Sequence, residues 1–416
     1  MELVPGISAH FVQSKKFKTN KITIRFTAPL SLETIAGRML SASMLETANQ
    51  VYPTSQAFRR YLASLYGTDI STSAYRRGQA HILDLTFTYV RDEFLSKKNV
   101  LTSRILELVK QTLFSPLVQD GAFEPALFEI ERKQLLASLA TDMDDSFYFA
   151  HKELDSLFLH DGRLQLRYSD LRNSISNESP ESSYTCFQNA LKNDRIDFFF
   201  LGDFNEVEIT ESLKSLPFTV RENDVTIQYH QSYSNVLREG MIQRNVGQSI
   251  LELGYHSPVK YGDDEHLPML VMNGLLGEFA HSKLFANVRE NAGIAYTVSS
   301  QLDLFSGLLR MYAGIDRENR NRARKMMNHQ LLDLKKGNFT DFELEQTKEM
   351  IRRSLLMAQD NQQTLVERAY LNALLGKSSF DIDRLVAKLE SVDKEAVCKA
   401  ANSLKLQAIY FMEGVE

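Results

Sequence analysis

The chain says much the same thing twice, and this repetition narrows its possible folds more than any single motif. In the first half, strand Lys21–Phe26 leads to a helix over Leu32–Thr47 and a second over Ser55–Leu65. Strands near Ile70–Tyr75 and Ile82–Val90 follow, then helix Val100–Phe114 and a long helical stretch from Glu124 past His151. Helix Ser182–Leu191 and the apolar strand Asp197–Leu201 close the half. In the second half, strand Ser249–Tyr255 precedes helices Leu267–Leu276 and Ser282–Glu290, and strands Ala295–Gln301 and Gly307–Ile315 follow. Helix Asn319–Leu334, a long helical stretch from Asp341, helix Lys394–Ser403 and strand Gln407–Met412 complete it. Even local wording recurs, with Phe128-Glu129-Ile130-Glu131 opening one long helix and Phe342-Glu343-Leu344-Glu345 the other. The strands alternate with a period of two and the helices carry a 3.6-residue apolar stripe, so each half reads as an α+β layer sandwich. At 416 residues the chain is too long for one core. The division expected is a first domain over 1–215, a linker over 216–240 that contains Pro217, and a second domain over 241–416.

Charge and composition exclude several classes. The balance is ordinary for a globular protein, 43% hydrophobic and 24% charged, with a net charge of -5. Lys and Arg are scattered, and the basic run Arg317–Lys325 reads as a solvated helix face, so nothing points to nucleic acid. The first residues lack the basic and apolar regions of a signal peptide, and no apolar run approaches the ~20 residues of a membrane span. Cys186 and Cys398 fall in different halves and predict neither a disulfide nor a metal site. The expectation is a soluble, reduced, cytoplasmic protein.

Chemistry concentrates on the first helix. Its apolar stripe at Leu32, Ile35/Ala36 and Met39/Leu40 is continued by Ser43, Glu46 and Thr47, spaced i, i+3 and i+4. That is the layout of the inverted zinc motif H-x-x-E-H, in which two imidazoles one turn apart grip the metal and the Glu activates water. Here both imidazoles are replaced by hydroxyls, poor zinc ligands at neutral pH. The nine histidines, from His10 to His329, form no close pair that could replace them. Glu46 reads first as a solvated or ion-paired helix glutamate and second as a surviving general base. A nucleophilic serine would need a base, and no His is placed by sequence to serve.

A duplicated half of ~200 residues with this motif after its first strand resembles the insulinase/pitrilysin metallopeptidases, in their bacterial single-chain branch. The resemblance covers nearly the whole chain. Its best-preserved piece is Leu284–Tyr296, followed by Gly307. It implies two homologous α/β-sandwich halves, antiparallel-rich sheets covered by helices, forming a cleft. It also implies a third metal ligand on the long helix, where Glu131 matches an upstream acidic residue and Ser138 stands at the ligand position. With Ser43, Thr47 and Ser138 in the ligand positions, the chain is similar to motif-less members of the kind labelled as associated with elongation factor P modification. The implied reading has no catalytic residue, no metal and no cofactor, with zinc only in a partner subunit. Ser43, Glu46, Thr47 and Ser138 are then vestigial.

From the same resemblance, Arg289 and Tyr296 would grip a substrate backbone, and an extended peptide would add to the strand Ile70–Tyr75. Read without it, Arg289 is an Arg near a helix C-terminus and Tyr296 a half-buried Tyr. The function expected is a pseudo-peptidase subunit that pairs with a zinc-bearing homologue and helps enclose a peptide or unfolded protein. The alternative is a stand-alone, homodimeric peptide-binding or scaffold protein. A third reading is an active hydrolase using Asp142–Asp145 or Asp263–His266 to bind a hard cation, although each cluster reads first as a helix boundary or loop.

Overall fold

The computed structural model of the chain describes residues 1–96, 100–166, 168–222, 225–376 and 381–415. The chain forms two compact units. The first comprises Met1–Ala140, Tyr168–Thr226 and Asn361–Leu374, and the second Thr141–Arg167, Ile227–Asp360 and Leu375–Glu416. These units depart from the contiguous division at 215 and 241. Each half of the chain gives one helical segment to the other half's unit, an exchange that local sequence patterns do not encode.

The first unit's sheet has the spatial order Glu2–Val4, Ile7–Gln13, Arg195–Gly202, Thr19–Pro29, Ala80–Val90, Asp69–Arg77. The second unit's order is Ala295–Asp303, Leu308–Ile315, Ser249–His256, Lys405–Gly414, Arg238–Arg244. Read from the edge strand that follows each first helix, the two orders are the same, with one extra short strand in the first. The pairing matches as well. Ile7–Gln13 runs parallel to Arg195–Gly202, Arg238–Arg244 runs parallel to Lys405–Gly414, and every other neighbour in these two sheets is antiparallel. The duplication legible in the sequence is a duplication of topology, and the fold is α+β with antiparallel-rich sheets.

Both faces of each sheet are covered, which explains strands without an exposed side. Along Thr19–Pro29, Ile22, Ile24 and Phe26 face the main core of the first unit. The intervening Thr23, Arg25 and Thr27 are equally buried, on the opposite face. There Arg25 makes two 2.7 Å bonds to Asp84 and one of 2.9 Å to Glu367, and Thr27 meets the Tyr370 hydroxyl at 3.1 Å. Glu367 and Tyr370 lie on the exchanged helix Gln362–Leu375. In the second unit Leu251, Leu253 and Tyr255 enter the core. On the other face Glu252 meets His151, and Arg310 bonds Asp155 at 2.6 Å, both partners on the exchanged helix Ser146–Phe158. Gly240 lets this helix pack close, since a Cβ there would lie 2.7 Å from a Leu157 methyl.

Several sequence expectations are corrected. The stretch from Glu124 past His151 is two helices, Pro125–Asp144 and Ser146–Phe158, because Asp145 accepts hydrogen bonds from Phe147 N–H (2.8 Å) and Tyr148 N–H (3.1 Å) as an N-cap. The Asp142–Asp145 cluster is therefore a helix boundary. Asp263–His266 is a turn in which Asp263 accepts from Lys260 N–H at 2.9 Å. The helix expected over Leu267–Leu276 is α-helical only to Asn273 and ends in a π-turn, Gly274–Glu278. Arg317–Asn319 is a short 3-10 turn before the helix Arg320–Lys335. Both cysteines are free thiols. Among the described residues no helix is long and apolar enough to cross a membrane.

Candidate functional site

The helix Ile35–Thr47 packs its apolar side inward through Ala36, Leu40 and Met44, which join Phe128 of the long helix Pro125–Asp144 in one cluster. This clamp brings the later turns of the first helix against the long helix. The sequence-predicted positions Ser43, Glu46, Thr47, Glu131 and Ser138 line one cavity of about 380 Å³. Ser55, Arg59, Leu127, Ile130, Gln134 and Leu135 complete the lining. All belong to the first unit.

Each carboxylate in this pocket already has an internal partner. Glu46 Oε2 accepts from the Thr72 backbone N–H at 2.9 Å and from the Thr72 hydroxyl at 2.7 Å. It is thus neither the solvated nor the ion-paired glutamate that helix spacing suggested. Glu131 Oε1 lies 2.9 Å from Thr47 Oγ1, which is also 2.9 Å from the Ser43 carbonyl. A threonine hydroxyl carries one proton and cannot donate to both. With Glu131 ionised the hydroxyl serves Glu131. With Glu131 protonated, the carboxyl donates to Thr47 Oγ1 and the hydroxyl turns to Ser43. Burial pushes the Glu131 carboxyl above its ordinary range and the neighbouring Glu46 adds to this, while the Thr47 bond and Arg59 pull the other way.

This donor set does not fit zinc. Three hydroxyls replace the protein ligands, and the two glutamates are held by Thr72 and Thr47. Among the described residues no group of three or more His, Cys, Asp or Glu could hold a metal ion. The pocket is a polar recess with an apolar rim and one cation, able to accept and donate hydrogen bonds.

Arg289 and Tyr296 lie in the second unit. Arg289 sits in the π-helical turn Phe285–Asn291, over the Phe285 ring at 4.8 Å and 3.7 Å from Glu290. Tyr296 is 63% exposed, not half-buried, and its hydroxyl is 3.2 Å from Asp316 Oδ1. It falls where the pairing of Ala295–Asp303 with the next strand slips, between Ala295 and Thr297, a bulge that turns its side chain outward. Both residues present polar groups at the surface, each with a separate partner.

Sequence reasoning missed Ser55, Arg59 and Gln134, and placed Thr72 in the strand Ile70–Tyr75 without linking it to Glu46. Arg59 and Gln134 are exposed on helices where any polar residue is ordinary, and Thr72 lies 26 residues from Glu46. No local signal marks them.

Fold and site together define a class: a duplicated α+β protein of metallopeptidase type whose metal-ligand positions carry hydroxyls. The family model described as "Peptidase M16 inactive domain" matches residues 177–351. The chain belongs to this M16, insulinase-like peptidase family, as a member without the zinc motif. It is 28% identical over 412 residues to "Probable inactive metalloprotease YmfF" of Bacillus subtilis, covering 99% of this chain and 96% of that one. "Uncharacterized zinc protease YmxG" of the same organism is 29% identical over 164 residues, 39% of this chain and 40% of its own. A crystal structure of a conserved protein from Enterococcus faecalis superposes with a TM-score of 0.95 at 32% identity, covering 100% of this chain and 98% of that one.

Proposed function

We propose that this chain is a non-catalytic subunit of a cytoplasmic peptide-processing peptidase, pairing with a zinc-bearing homologue and helping to hold an extended peptide. The observation that carries this reading is the joint loss of metal-ligand chemistry in an intact pocket. Ser43, Thr47 and Ser138 still line one recess with Glu46 and Glu131, so shape is kept where chemistry is gone. Bacillus subtilis has relatives of both kinds, one named inactive and one named a zinc protease, which supports a division of labour between motif-less and motif-bearing chains. In this role Arg289 and Tyr296 contribute exposed polar groups to the peptide backbone.

The test is affinity isolation of the tagged full chain from its own cells, with metal analysis of the isolate. Recovery of a homologue carrying H-x-x-E-H in 1:1 ratio, with zinc tracking that homologue, is expected. A homodimer without zinc or a second chain would replace this reading with the stand-alone scaffold. Stoichiometric zinc in the purified chain alone, reduced by Glu46→Gln, would overturn both.

A further inference from the structure

The strand Asp69–Arg77 is the edge of the first unit's sheet, paired only with Ala80–Val90. In an antiparallel pair, successive residues turn their N–H and C=O groups alternately toward the neighbour and away from it. Thr72 N–H points away, because it donates to Glu46 rather than to the sheet. An extended chain adding to this edge must place a carbonyl where the Glu46 carboxylate now sits. One oxygen, Oε2, takes both the amide and the hydroxyl of Thr72, so the edge is closed at this point by a charge-assisted pair of bonds.

We infer that Glu46 is a movable latch on the peptide-binding edge, a deepening that rests on the peptide-holding role proposed above. The latch has two seats. In the closed seat the carboxylate holds Thr72. In the open seat it swings into the recess it already borders, where Arg59 and the Ser43 and Ser55 hydroxyls line the wall and offer a cation and donors. The occupant that displaces it is the main chain of an extended peptide, whose carbonyl takes over the Thr72 N–H. The position that activates water in zinc-bearing homologues thus sets how readily the edge is occupied in this one.

Two readouts on the full chain test this. The first is hydrogen exchange at the Thr72 amide without ligand. The second is binding of a fluorescein-labelled, lysine-flanked Thr/Val peptide long enough to pair along the nine-residue strand. In Glu46→Ala the Thr72 amide should exchange at least about tenfold faster and the peptide should bind about tenfold tighter, the usual scale for releasing a bond to a charged group. Arg59→Ala should weaken binding to the wild-type chain and do nothing in the Glu46→Ala background. Unchanged Thr72 exchange would overturn the latch. Equal affinities for wild type and Glu46→Ala would overturn it too, and would leave the peptide-holding role standing. No binding to either chain, with faster Thr72 exchange in the variant, would remove the peptide-holding role and the latch's purpose together.

Discussion

In the first unit the helix Ile35–Thr47 is tied to the edge strand Asp69–Arg77 by a side chain, Glu46 on Thr72, beside an open polar recess. In the second unit the helix in the same position of the repeat is tied to its edge strand, Ala295–Asp303, by backbone proximity. Its terminal turn carries Gly277, where a Cβ would lie 2.6 Å from Ser300 N and 2.7 Å from a Leu284 methyl. Ser299 donates to the Gly277 carbonyl at 2.9 Å and Ser300 to the Asn273 side chain at 2.7 Å. One topology therefore solves the same corner twice, with a carboxylate on the strand backbone in one unit and a close glycine approach fastened by two serine hydroxyls in the other.

The exchanged helices show a second contrast. Arg25 is fully buried with two bonds to Asp84, whereas Glu252 is fully buried against His151, which is partly exposed, and Arg310, which has a second partner in Asp155. Removing Arg25 strands the buried Asp84 carboxylate. Arg25→Ala should therefore cost about 3–5 kcal/mol in urea unfolding, and Glu252→Ala clearly less. A reversed ranking would break the comparison.

The corner itself is sharpened by Gly277→Ala, expected to destabilise by about 1–3 kcal/mol through overpacking. Ser43→Ala, beside the recess, should stay within about 0.5 kcal/mol. Equal costs would show that the second unit's corner is packed no more tightly than the recess.

Acid should weaken both units, at different depths. Burial lowers the His81 pKa to about 3, and the ring accepts a 2.9 Å bond from Arg38 Nε. Burial lowers that of His266 to about 4. A histidine with a depressed folded-state pKa stabilises above its unfolded value near 6.5 and loses that contribution as pH falls toward the folded value. Each group should remove up to about 1.4 kcal/mol per pH unit below 6.5. The His266 loss is complete near pH 4 and the His81 loss continues to about pH 3. Denaturation of His81→Gln and His266→Gln as a function of pH separates the two, and an unchanged slope in both variants would refute the assignment.

Thr47→Val tests the recess at its second carboxylate. Losing the hydroxyl removes the bond that lowers the Glu131 pKa, so the carboxyl should titrate still higher, with a stability cost of about 1 kcal/mol. A Glu131 titration by NMR that stays in place would mean that Thr47 donates to Ser43 throughout.

Much of this was legible in the sequence because periodicity reports local burial. The alternation in Thr19–Pro29 and the apolar run Phe198–Leu201 announced strands, and Ser43, Glu46 and Thr47, spaced one turn apart, line one pocket with Ser138, which only the family resemblance pointed to. What stayed hidden depends on distant partners. Nothing in Gln362–Leu375 says that Tyr370 and Glu367 serve the first unit's sheet, because an amphipathic pattern does not name the surface it covers. The strands Ile7–Gln13 and Arg238–Arg244 were missed since their pattern is weak and their strand character comes largely from a parallel neighbour far along the chain. The break at Asp145 was written locally, and the acidic cluster Asp142–Asp145 reads as the helix boundary it is.

The exchanged helices also set a timetable. Arg25 and Glu367 are separated by 342 residues, so a nascent chain leaving the ribosome carries the first sheet, with Arg25 and Asp84 already paired, before its last cover has been translated. At synthesis rates of about 5–20 residues per second that interval is on the order of tens of seconds. Through it the first unit presents an uncovered, charged sheet face. The protein must therefore be born as an unfinished structure and completed only when its C-terminal third arrives, which makes truncated or stalled chains targets for chaperones and quality control rather than miniature working domains.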